Sequence, residues 1–128
     1  MKKDILNRSD IELLISAFYH KVKSDNLIGF LFTDTVQINW ELHLPLMCNF
    51  WENVLFFSGN YTGNPMNLHQ HLQHIQPLES KHFTRWVLIF EKVVNANFKG
   101  PTATLAKQRA KSIAKLIEAK VLQHRFEH

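Results

Sequence analysis

Apolar residues near the start of the chain return every three or four positions. Ile11, Leu14, Ile15, Phe18 and Val22 form one stripe, the spacing of an amphipathic helix. Ser9-Asp10-Ile11-Glu12 fits the capping-box pattern S-x-x-E, so a helix is predicted over residues 9–24, with Tyr19 beside its apolar face. NLIGFLF (26–32) reads as a short helical turn or compact connector, broken at Gly29. A second helix is predicted over 40–57, where His43, Met47, Phe50, Trp51 and Val54 make a continuous stripe. Pro45 belongs in or near its first turn, or at a kink. SGNYTGNP (58–65) is loop chemistry throughout, and a short helix over 65–75 follows it. A long helix over 79–97 carries Phe83, Trp86, Val87, Phe90, Val93 and Val94; it is apolar around much of its circumference and so predicted to be central. Gly100-Pro101 separates it from a last helix over 102–124, with Ala106, Ala110, Ile113, Ile117 and Val121 inward. Nothing alternates as a strand does. The pattern predicts an all-α domain of about five helices spanning residues 1–128.

Composition adjusts this picture in three ways. First, 128 residues suit a single core, and 45% hydrophobic with 12% aromatic residues excludes a disordered chain. Ten phenylalanines and three tryptophans either fill that core or line a pocket for a flat, apolar ligand. Second, the net charge of +4 is spread thinly, with Lys2, Lys3 and the lysines from Lys107 to Lys120 on ordinary solvated faces. No nucleic-acid-binding motif accompanies it, so no nucleic-acid partner is expected. Third, Cys48 is alone, which excludes an internal disulfide and any paired-cysteine attachment of a prosthetic group. No apolar run follows the first lysines and none approaches about 18 residues; the expectation is a cytoplasmic protein without a membrane partner.

Candidate chemistry centres on histidine, of which the chain has eight. NLHQHLQH (67–74) holds three of them. At about 100° per residue, Pro65, Leu68, Leu72 and Ile75 gather in one sector and His74 points away from it. His69 and His71 flank the sector, with Met66 adding apolar character beside His69; periodicity does not choose between the two. Zinc is not favoured at His71 and His74, since no HExxH motif, nearby carboxylate or second cysteine completes a ligand set. Tyr19, His43 and Trp86, taken singly, read as buried aromatics with bonded polar tips. Taken together, three polar-tipped side chains on the inner faces of three helices point to a shared cavity.

The ordered set AFYHKV (17–22), IGFLF (28–32), WELHLPLMCNFW (40–51), GNYTGNPMNLHQHL (59–72) and PLESKHFTRWVLIF (77–90) resembles the truncated haemoglobins, within them group III. The resemblance runs from about Phe18 to the last helix. It implies a truncated globin-like helical sandwich around a haem pocket, with non-covalent haem b and its iron. On matching positions, it implies His69 as the proximal iron ligand, Tyr19 as the distal tyrosine, His43 as the distal histidine and Trp86 as the distal-pocket tryptophan. Phe32 matches the phenylalanine against the haem face, Met47 and Leu72 line the pocket, and Trp51 matches a family aromatic; His71 matches no iron ligand. His74, His82 and Arg85 are candidate propionate partners. The implied activity is binding of O2, NO, CO or similar ligands at a pentacoordinate iron, for retention or detoxification. Dioxygenase- or peroxidase-like turnover would need an external reductase, since the sequence shows no reductase domain. A monomer is expected. The alternative is a haem-free all-α interaction domain of globin-like shape.

Overall fold

A computed structural model of the chain describes residues 2–29, 40–57 and 79–126. Within them lie four α-helices and no strand: α1 (Arg8–Lys23), α2 (Trp40–Phe56), α3 (Ser80–Asn97) and α4 (Pro101–Phe126). The helix expected over 65–75 lies outside the described residues, and so do Phe32, His69, His71, Leu72 and His74. α1 packs on α2 and α3, and α4 packs on α3 and more lightly on α2. α3 is thus clasped between the first helix and the last, as its broad apolar surface predicts.

The stripe on α1 is buried in full, from Ile11 through Val22, and Tyr19 joins it at 8% exposure. Its cap differs from expectation. Asn7, two residues before Ser9, accepts a hydrogen bond from the Asp10 N–H at 3.1 Å, as an N-cap side chain does. Glu12 pairs with Arg8 instead, one turn back. Asp10 is buried, and its carboxylate accepts from the Leu6 N–H and the Lys3 ammonium, both at 2.9 Å.

On α2 the deepest residues are Cys48, Trp51 and Leu55, not the whole predicted stripe. His43, Met47, Phe50 and Val54 are half-buried along its edge. The helix is apolar on more than one face, so periodicity alone placed its centre about a quarter of a turn off. Pro45 sits just past the first turn of the helix, where it has no N–H to offer the carbonyl of Glu41, an exposed residue. α4 begins at Pro101 and buries Ala103, Ala106, Ala110, Ala114 and Ile117. Its small residues let α3 and α4 approach closely.

Gly29, the expected break in the 26–32 stretch, is the last described residue there. Its N–H donates to the Asp25 carbonyl at 3.0 Å, inside a helical turn. A Cβ there would stand 2.7 Å from the Lys23 carbonyl oxygen; the glycine permits a close backbone approach to the end of α1.

Candidate functional site

Tyr19 and His43 meet where α1 and α2 cross. The Tyr19 hydroxyl and His43 Nε2 lie 3.2 Å apart, within hydrogen-bond reach, with the direction set by the imidazole tautomer. Helical spacing explains the placement: Tyr19 follows Ile15 by one turn, and His43 precedes Met47 by one turn on the inner edge of α2. Burial pushes the Tyr19 phenol well above its ordinary pKa, with the nearby Cys48 thiol adding to the effect. Burial also lowers the His43 imidazole. Both groups are therefore neutral near pH 7, and the phenol keeps its proton.

Rings hold this pair in place. Phe18 meets Tyr19, Trp86 and Phe90 edge-on, at centroid distances of 5.1, 5.4 and 5.3 Å. Phe90 carries Trp51 and Trp86 as near-parallel rings at 4.8 and 5.9 Å. Such geometries each add about 0.5–1.5 kcal/mol beyond area burial. Trp86, half-buried, thus joins Tyr19 through the shared Phe18 ring, whereas Tyr19 and His43 touch directly. Met47 is half-buried against the core. Three helices contribute to one aromatic cluster, with Trp86 joined to Tyr19 through Phe18.

One member of the cluster was not anticipated. Trp40 packs edge-on against both Tyr19 (5.1 Å) and His43 (5.5 Å). Its signal in the sequence is the spacing W-x-x-H, which sets Trp40 and His43 on one face of α2. Two of the candidate propionate partners have other engagements. His82 Nδ1 accepts from the Glu79 N–H at 2.8 Å, closing the first turn of α3. Arg85 donates from Nε and Nη2 to one oxygen of Asp25, at 2.8 and 2.6 Å. The other Asp25 oxygen accepts from the Leu27 and Ile28 N–H groups. Burial alone would raise this carboxyl, but the Arg85 bond and the two backbone donors hold it below the usual carboxylate value.

The Cys48 thiol of α2 is buried in the core, and burial pushes it up to about 11 despite the Arg8 cation. It is protonated and unreactive near neutral pH. Among the described residues, no helix is long and apolar enough to cross a membrane.

No family model matches the chain. It is similar to the group 3 truncated hemoglobin ctb of Campylobacter jejuni, with 30% identity over 117 residues covering 89% of this chain and 90% of that protein. It is also similar to the crystal structure of group III truncated hemoglobin from Campylobacter jejuni, with a TM-score of 0.79 and 27% identity. That likeness covers 94% of this chain and 95% of the other.

Proposed function

Because the chain belongs to the group 3 truncated haemoglobins, and membership implies globin-type haem binding, we propose that it holds haem b non-covalently with His69 as the protein ligand to iron. When bound, haem would supply an iron, held by His69, that takes a small ligand such as O2, CO or NO. The described residues fit such a group. Tyr19, His43 and Trp86 form a neutral set of hydrogen-bonding groups backed by aromatic rings, suited to an apolar macrocycle and an uncharged, polarisable ligand.

Each residue then has a defined task. His69 brings a neutral imidazole, oriented by whatever accepts from its other ring nitrogen. Phe32, Met47 and Leu72 provide apolar lining that excludes water. Tyr19 donates from its hydroxyl and Trp86 from its indole N–H to the partial negative charge on the ligand. His43 shares the Tyr19 hydroxyl and controls access to it.

The observation that supports this reading most is the Tyr19–His43 contact of 3.2 Å, made by two neutral groups from different helices in a chain of this family. Two such donors would slow ligand release, which suits retention or detoxification of nitric oxide, peroxide or related species better than delivery. Turnover would draw electrons from an external reductase. We place the protein in the cytoplasm as a monomer.

The experiment is an absorption spectrum of the purified protein, oxidised, reduced and with carbon monoxide, beside His69→Ala and His71→Ala. A Soret band that shifts with carbon monoxide, is lost or altered in His69→Ala and survives in His71→Ala is the expected result. A colourless protein that takes up no added haem would return the chain to a haem-free helical interaction domain.

A further inference from the structure

Three side chains at the crossing of α1 and α2, Tyr19, Trp40 and His43, form a closed ring of contacts, and Lys23 caps its Trp40 member. α1 supplies Tyr19 and Lys23, one turn apart, and α2 supplies Trp40 and His43, also about one turn apart. Such spacings put each pair on one face of its helix. Lys23 Nζ stands 3.9 Å from the centroid of the Trp40 ring. The Trp40 ring meets Tyr19 at 5.1 Å and His43 at 5.5 Å, the latter at an interplanar angle of 85°. Tyr19 and His43 complete the circuit, with ring centroids 5.3 Å apart and the hydroxyl-to-Nε2 contact of 3.2 Å.

The members of this group differ in exposure. Tyr19 is buried, His43 and Trp40 are half-buried, and Lys23 is exposed. The half-buried His43 imidazole thus has one edge against the buried Tyr19 hydroxyl and another open to water. What stands beside it on the same helix face is the Trp40 indole. That indole is braced by Tyr19 on one side and by the Lys23 ammonium over its face on the other. An ammonium over an indole face is attracted by the ring quadrupole, and the contact restrains the ring against rotation.

We propose that Lys23 and Trp40 act as a latch that keeps the His43 imidazole turned inward against Tyr19, and so sets how often the pocket opens to water and incoming ligands. This rests on the haem-pocket reading of the same site. The latch makes Lys23 and Trp40 positioning residues: they act through His43. Removing the cation while keeping the stem loosens the Trp40 ring and raises the outward population of His43 about two- to fivefold, the range expected for an exposed cation–π contact.

The test compares wild type, Lys23→Met, Lys23→Arg and Trp40→Phe, using two readouts. One is the carbon monoxide association rate after flash photolysis of the haem-loaded protein. The other is the solvent-exchange rate, by NMR in the diamagnetic carbon monoxide complex, of the proton shared by the Tyr19 hydroxyl and His43 Nε2. Lys23→Met is expected to raise both rates about two- to fivefold, and Lys23→Arg, which keeps a cation over the ring, to restore them. Trp40→Phe, with a smaller ring beside His43, should raise both as well. Unchanged rates in both Lys23→Met and Trp40→Phe would overturn the latch. A wild type that takes up no haem would defeat the haem reading alone; the latch is then decided by the same exchange rate in the haem-free protein.

Discussion

Tyr19 shows how one residue's chemistry is fixed by where its helix puts it. Its ring belongs to the buried face of α1, while its hydroxyl reaches His43 on α2. Because burial raises its pKa, the hydroxyl remains a proton donor across the whole physiological range. If it donates to the bound ligand, Tyr19→Phe removes one hydrogen bond in a dry site, worth about 1–3 kcal/mol. Oxygen dissociation measured by stopped flow should then speed up by roughly tenfold or more. An unchanged rate would assign the role to Trp86. The sequence makes Tyr19 legible as a flank of the apolar stripe. Its partner is not legible, because a helix period says which way a side chain points and nothing about what another helix places opposite.

The helix start at Pro101 makes the same point for an element. Gly100-Pro101 marks the boundary in the sequence, and Pro at the first helical position lacks an N–H that would go unused. Gly100, at φ +149°, has no side chain with which to cap α4. Asp4 supplies the cap from the other end of the chain: its carboxylate accepts from the Thr102 N–H at 3.0 Å and the Ala103 N–H at 2.8 Å. The glycine is what lets it in, since a Cβ at Gly100 would stand 2.5 Å from the Asp4 carboxyl carbon. Losing such a cap costs about 1 kcal/mol. Asp4→Ala should therefore lower stability by about that much in denaturant unfolding and speed hydrogen exchange at the Thr102 and Ala103 amides. Gly100→Ala should cost more, because it strains the backbone and expels Asp4 together.

At the scale of the molecule, three aspartates tie segments together. Asp4 joins the N-terminal arm to α4, Asp10 joins that arm to α1, and Asp25 joins the end of α1 to α3 through Arg85. In each, burial would raise the carboxyl, and hydrogen bonds outweigh it to lower the pKa from 3.8. A carboxyl depressed in the folded state contributes its stability in full above the unfolded value and loses it as pH falls through the folded value. Thermal midpoints should thus slope gently downward from about pH 7 to about pH 5, because the folded state disfavours protonation of His43 and His82, and fall more steeply below about pH 4 as the carboxylates protonate. Asp25→Ala should flatten part of that acid limb while lowering the midpoint at neutral pH, as the Arg85 guanidinium and the Leu27 and Ile28 N–H groups lose their acceptor. A midpoint at neutral pH equal to that of wild type would show that Asp25 is not a structural tie.

The sequence by itself determined that the described segments are helices, which residues of α1 face inward and, on α4, that Ala106, Ala110 and Ile117 do, and that Tyr19, His43 and Trp86 lie on three separate elements. Those are local matters: a 3.6-residue period, a proline and a glycine express themselves within one or two turns. Only the tertiary structure decided what crosses between elements. It set Tyr19 against His43 at 3.2 Å, brought Trp40 into the same ring of contacts with Lys23 over its face, committed Arg85 to Asp25, and turned Asp4 into the cap of a helix 98 residues away. Each of those pairings depends on how helices pack and where the chain returns, and no residue spacing along the chain carries that information.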